Sequence, residues 1–270
     1  VSVFSLIKSE MLLVYGELIR RKQALFTYVA YPYIMTFFII FVGSSVGSLE
    51  NFEARVGSNP FLFFITASFN FLVILGIVDD VLWSPIYDDN IGTLPYVLSS
   101  TTPWFLRLLI IPIPRLVLTV ILGFTSLVPL FTYLEGLEGL LTSLLLMGLA
   151  GLAGLLLSTF AILVACSISM LMGESWRLLN IVRPLMMILL GVFYPRVLMP
   201  LAVRVISYLL PSSHVVDLTL YTLVGKGTPE VLTVLTLLGA STALAVAYGP
   251  LSYSSTKSLE TKKLREGVKT

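Results

Sequence analysis

The chain has 270 residues, of which 57% are apolar and 12% charged, with a formal net charge of +2. Soluble domains carry about 25% charged residues, so half that density, with a mean hydropathy of +0.96, excludes a surface wetted all round and makes the bilayer the natural solvent. The small net charge excludes a nucleic-acid footprint, the single Cys166 a disulfide framework, and the single His214 a histidine-rich metal site.

The elements follow in chain order. In residues 1–22, Phe4, Ile7, Met11, Val14 and Leu18 recur at three- and four-residue steps, which predicts a helix lying along the membrane surface. Lys8, Glu10 and Glu17 interrupt its apolar stretch and argue against a cleavable signal. Uncharged stretches then predict spans at 24–49, 56–78, 140–168 and 231–253, and a span at 108–134 contains Arg115 near its start and runs uncharged from Leu116 to Leu134. Between Arg183 and Arg196 only twelve uncharged residues remain, about 18 Å of helix. A span at 178–195 therefore starts near Leu178 and lets Arg183 reach the headgroups. Residues 79–107 form a loop bearing Asp79, Asp80, Asp88 and Asp89. Residues 196–227, punctuated by Pro200 and Pro211, read as two short helices dipping into the outer leaflet. Residues 254–270 form a basic tail.

The expected fold is an all-α membrane protein with six transmembrane helices, an N-terminal interfacial helix and a re-entrant outer hairpin between helices 5 and 6. Lys8, Arg20, Arg21 and Lys22 precede the first span, and Lys257, Lys262, Lys263, Arg265 and Lys269 follow the last. Lys and Arg collect on the cytoplasmic side, so both termini and the loop at 79–107 are expected there. Small residues at Ala150, Gly154 and Ser158, and at Gly43 and Gly47, permit close helix approach. Pro32 and Pro129 fall inside spans.

Chemical motifs are sparse. Gly225-Lys226-Gly227-Thr228 lacks the spacing of a phosphate loop. Asp79-Asp80 and Asp88-Asp89 leave open a Mg²⁺-dependent diphosphate transferase, although Pro85 divides the pairs and both fall in one loop. His214 is the sole base available to a serine protease, and it lies beside the outer loop. The central stretches of spans 1, 2, 3, 4 and 6 hold no charged side chain, which argues against ion-gradient coupling; an ion-gradient transporter or a channel stays open as an alternative.

Two stretches carry a resemblance. The first is Tyr87-Asp88-Asp89-Asn90-Ile91-Gly92-Thr93-Leu94, followed by Leu98 and Thr102-Pro103. It resembles the cytoplasmic coupling segment of type-2 ABC transporter (ABC-2) permeases, where an acidic stretch, Gly-Thr-Leu and a Thr-Pro or Ser-Pro lie between spans 2 and 3. The second is Gly191-Val192-Phe193-Tyr194-Pro195, then Pro200, and Pro211-Ser212-Ser213-His214-Val215-Val216-Asp217-Leu218. It is similar to the end of helix 5 and the outer hairpin in the drug-resistance and lipo-oligosaccharide exporter branch. The match in order runs from about Glu10 to Ser252. Pro95 stands where the family usually has an acid, Pro103 falls about two residues late, and aspartates replace the usual Arg-Glu pairing before Gly92.

The resemblance implies an exporter subunit in the cell membrane, moving a drug-like or lipid-like cargo. It is not itself an enzyme and carries no cofactor. ATP and Mg²⁺ sit on a separate cytoplasmic ABC ATPase, bound in two copies beneath a pair of permeases, as a homodimer or with a similar partner. Asp88, Asp89, Gly92, Thr93, Leu94, Leu98, Thr102 and Pro103 would couple to that ATPase. Phe193, Tyr194, Pro195, Pro200, Pro211, His214 and Asp217 would form the outer gate. Tyr31, Phe38, Phe64 and Phe69 are candidate pathway-lining residues.

Overall fold

The computed structural model describes residues 3–46, 48–171, 175–224 and 230–266. Among these, helices α1 (Val3–Val14), α2 (Lys22–Val46), α3 (Leu49–Val56), α4 (Pro60–Asn90), α5 (Leu94–Leu98) and α6 (Trp104–Ile110) come first. They are followed by α7 (Pro112–Leu171), α8 (Ser175–Leu189), α9 (Leu201–Tyr208), α10 (Pro211–Val224) and α11 (Val231–Glu266). A π-helical turn at Tyr15–Ile19 extends α1, a 3₁₀ turn at Arg196–Leu198 precedes α9, and the described residues contain no strand. Lys22–Ser45, Pro60–Asn90, Trp104–Met170 and Val231–Arg265 are long and apolar enough to cross a bilayer; α9 and α10, bent by 106°, form a fifth candidate together.

The 60 residues of α7 are two antiparallel arms. At Gly136 the backbone takes φ 65° and ψ −139°, a region open essentially to glycine alone. Beyond it the chain returns along itself: Gly151 faces Val120 and Leu116, and Gly123 faces Met147. At the turn, a Cβ on Gly139 would lie 2.2 Å from the Phe131 carbonyl oxygen, so only hydrogen fits there. The arms cover 112–135 and 137–171, close to the expected spans at 108–134 and 140–168.

Helix α4 packs along both arms and forms the centre of the bundle. Phe69 presses on Gly123 and Ile77 on Gly154. The small-residue row Ala150, Gly154 and Ser158 is thus used inside this chain, against α4 and the first arm, and not as a face for a second copy. Gly47 lies outside the described residues. Helices α2 and α11 are peripheral, with Phe37, Phe38 and Phe41 exposed on one and Leu232, Leu235 and Val246 on the other. Exposed apolar side chains on membrane-length helices suit a lipid-facing surface.

Several boundaries differ from the sequence reading. The second span does not begin at Val56: α3 ends there, capped by Gly57 at φ 77°, and α4 starts on the N-cap Asn59 with Pro60 in its first turn. Nor does it end at Val78, because α4 runs on through Pro85 to Asn90 and makes the first half of the expected loop helical. Helix α8 stops at Leu189, short of Pro195, and its fifteen residues rise about 22 Å. The expected tail is no tail: α11 continues to Glu266, held by Leu259, Thr256 and Ser252, which are buried at regular helical spacing. Gly225 to Thr228, Lys269 and the ends of the expected hairpin and tail lie outside the described residues.

Candidate functional site

Chemistry-bearing side chains collect in two clusters, one on the C-terminal third of α4 and one around the segment that follows α8. At its C-terminal end α4 is stopped by Gly92, whose φ of 72° lets the chain turn in the left-handed region. The Thr93 amide donates to the Asp88 carbonyl at 2.9 Å and the Gly92 amide to the Asp89 carbonyl at 3.3 Å. This paired closure is the Schellman arrangement. Thr93 Oγ1 also donates to Asp88 Oδ1 at 3.1 Å, so the stop is fastened by backbone and side chain together. Helix α5 starts immediately, with Pro95 in its first turn and Leu94 buried. Ser100 Oγ then donates to the Thr102 carbonyl, and Pro103 caps α6, which buries Trp104.

All four aspartates of α4 face cations from distant elements. Arg183 of α8 donates to Asp79 through Nε at 2.9 Å and Nη2 at 3.1 Å. Arg115 of α7 joins Asp80 at 2.9 Å and Glu17 at 2.9 Å. Arg107 of α6 donates to Asp88 at 2.7 Å and lies 3.8 Å from Glu10 of α1. Lys263 of α11 donates to Asp89 at 2.5 Å. Burial raises the pKa of Glu10 above the usual carboxylate range; Arg107 opposes this, while Asp88 and Glu17 add to it. The paired aspartates do not share a broken loop, as the sequence reading had it. They lie on one helix, each committed to a cation of this chain. Among the described residues no three His, Cys, Asp or Glu side chains converge as metal ligands.

Around this tied elbow some large side chains stay outside. Tyr87 is 61% exposed, Ile91 52% and Tyr96 77%. A small cleft of about 110 Å³ lies beside them, lined by Asp89, Gly92, Leu94, Pro95, Leu98 and Lys263. Of the expected coupling residues, Leu94 and Asp88 are buried, Leu98 and Thr102 half-buried, and Asp89, Gly92 and Pro103 exposed.

Alongside the N-terminal half of α4, where Phe193 meets Phe71, the segment after α8 turns at Gly191 and leads into a polar lock. Arg196 is 3% exposed and donates through Nε to Asp217 Oδ2 at 2.6 Å, with Nη2 on the same oxygen. Its Nη1 donates to Ser213 Oγ at 3.2 Å, and its guanidinium stacks 4.5 Å from the centre of the Tyr208 ring. His214 Nδ1 lies 3.3 Å from Arg196 Nη2, and His214 Nε2 lies 3.0 Å from the Tyr208 carbonyl oxygen. Arg is always a donor and the carbonyl always an acceptor, so the neutral ring carries its proton on Nε2. Ser213 Oγ donates in turn to the Ser207 carbonyl at 2.6 Å. Pro200 and Pro211 open α9 and α10, Tyr194 donates to the Ile188 carbonyl, and Phe193 meets Phe71 edge-on at 5.5 Å. The 106° bend is therefore held by charge-assisted bonds and not by the prolines alone.

The expected pathway residues divide. Phe38 is 60% exposed and Tyr31 half-buried. Phe69, 1% exposed, is packed between α4 and α7, whereas Phe64 stacks with Phe52 and Phe63 and keeps one side on an open groove. Sequence reasoning missed Arg196, Arg107, Arg115 and Lys263 as organising groups. For Arg196 a signal existed, since a charge set among apolar residues beside Pro195 requires a partner. Comparison of the chain with protein-family models, curated proteins and solved structures returns no match.

Proposed function

We propose that the chain is the membrane-spanning permease subunit of an ATP-driven exporter of the ABC-2 kind, moving amphiphilic cargo out of the cytoplasm while a separate subunit hydrolyses ATP. The observation that carries this reading is the elbow at 87–103. A rigid, doubly fastened helix stop presents Tyr87, Ile91 and Tyr96 to the outside, at the end of the bundle where the charges gather. Exposed aromatic and aliphatic side chains on a fixed frame suit a protein partner.

In this reading six spans are α2, α4, the two arms of α7, α8 with the turn after it, and α11. The charged end is cytoplasmic, and α9 with α10 forms the outer gate. A push on α5 from the ATPase passes through Thr93 and Asp88 into α4, through Asp88 and Arg107 into α6, and through Asp89 and Lys263 into α11. Helix α4 then carries it about 45 Å, the rise of its 31 residues, towards the gate. Helix α1, joined through Glu10 to Arg107, braces the same end. Export direction, a pair of permeases and two ATPase copies rest on the resemblance.

The test is purification of the chain from its native membrane in mild detergent, with ATPase activity measured on whatever accompanies it. An ATP-hydrolysing subunit is expected with the wild-type chain. It should be lost on Tyr96→Asp at unchanged thermal stability, since Tyr96 touches little of this chain. A chain that purifies alone, or a partner that ignores Tyr96→Asp, would count against the reading.

A further inference from the structure

A groove of about 590 Å³ opens at the gate end of α4, between α2, α3 and the turn that follows α8. Its walls are apolar: Ile40, Phe52, Phe64, Phe193 and Leu198. The volume falls within the range of about 300–1,000 Å³ common to small-molecule sites. Next to it on α2, Phe37, Phe38 and Phe41 are exposed, so its apolar side adjoins the lipid-facing surface.

Among the described residues one charge lines this groove, and it is positive. Helix α3 turns Leu49, Phe52, Arg55 and Val56 into the groove, at the spacing of one helix face. Its acids, Glu50 and Glu53, are not among the lining residues, and no Asp or Glu is. Arg55 forms no ion pair among the described residues, whereas the arginines at 107, 115, 183 and 196 all do. Ser48 and Asn51 add polar groups beside it. Among the described residues the groove therefore offers an apolar trough open to lipid with one guanidinium, free of any ion pair, at its rim.

We infer that this groove binds an anionic amphiphile of the membrane, with an acyl chain against Ile40, Phe64 and Leu198 and a phosphate-bearing head on Arg55. A guanidinium suits phosphate because its planar donors match two oxygens at once. The inference needs membrane residence alone and stands or falls separately from the exporter reading.

Native mass spectrometry of the purified full chain, supplied with phosphatidylglycerol and phosphatidylcholine, reads both bound lipid and copy number. Wild type is expected to retain phosphatidylglycerol preferentially. Arg55→Ala should weaken that retention roughly tenfold, the loss expected for one charge-assisted bond, and Arg55→Lys should keep most of it. Gly43→Phe should displace the lipid by filling the trough. No heavy atom lies within 4 Å of a Cβ placed at Gly43, so the fold has room for it, and an unchanged melting temperature checks that. Glu53→Gln should leave binding unchanged. Equal retention by wild type, Arg55→Ala and Gly43→Phe overturns the assignment. Displacement by soluble glycerol phosphate as effective as by the lipid also overturns it, giving the site to a free anion. A dimer that dissociates on Gly43→Phe would assign the groove to a second copy instead.

Discussion

Arg196 illustrates how a single residue organises a sharply bent helix pair. Its guanidinium is almost wholly buried, and desolvating a charge is tolerated only when its donors are met. Asp217, Ser213, the Tyr208 ring and His214 meet them. Asp217→Ala leaves that charge uncompensated and should destabilise the chain by about 3 kcal/mol. Combining it with Arg196→Met should recover a large part of the loss, because the stranded charge is gone. Chemical unfolding in detergent measures both, and equal destabilisation by the single and double variants would contradict the lock. Glu10 makes the opposite case. Its folded pKa is raised, so folding favours the protonated acid. The stability it contributes is present below its unfolded value of 4.5 and falls as the pH rises through the higher folded value. Glu10→Gln should flatten that fall in a series of melting temperatures against pH, and an unaltered slope would rule it out.

Among the elements, the turn joining the two arms of α7 depends most directly on local stereochemistry. Gly136→Ala should cost about 1–3 kcal/mol, the strain of an L-residue in that backbone region. Gly139→Ala should cost more, since its Cβ meets a backbone carbonyl that cannot swing aside. Thermal unfolding of the two variants, set against Gly148→Ala, where nothing lies within 4 Å, checks the order. The arms themselves were legible in the sequence because uncharged stretches of membrane length report them directly. The extent of α4 was not. Pro85 and two aspartate pairs are local signals for a loop, but the cations that make a charged helix end stable there stand 19 to 174 residues away. The C-terminal half of α11 was hidden for a related reason. Its buried stripe of Ser252, Thr256 and Leu259 is mostly hydroxyl, so a scan for apolar residues passes over it. In the candidate site, the elbow was legible through Gly92 and Thr93, whose stop is local. The lock was legible only through His214 and Asp217, since nothing in the sequence pairs them with Arg196.

The whole molecule is polarised along α4. One end gathers the ion pairs of α1, α4, α6, α7, α8 and α11; the other carries a groove lined, among the described residues, by one cation that forms no ion pair. Among the described residues, four helices long enough to cross a membrane connect these ends, one of them the two-armed α7. Signal transfer in the proposed exporter requires those ends to face opposite sides of the membrane. The short α8 is the weak link in that topology, since its rise of about 22 Å falls below a hydrocarbon core of about 30 Å. Tilting cannot lengthen it, so the turn after Leu189 must complete the crossing or the bilayer must thin locally. Labelling with a membrane-impermeant maleimide tests this without any assumption about cargo. Cys166, the sole cysteine, is buried and can be replaced by Ser to give a silent background. Into it go Glu53→Cys on α3, Leu201→Cys on α9 and Ser99→Cys after α5, all at exposed positions. The first two should label in intact cells and the third only after permeabilisation. If Ser99→Cys and Glu53→Cys label together, α4 does not cross and the coupling route through it is lost. If Leu201→Cys labels with Ser99→Cys, the failure lies in α8, and the hairpin belongs to the same side as the elbow.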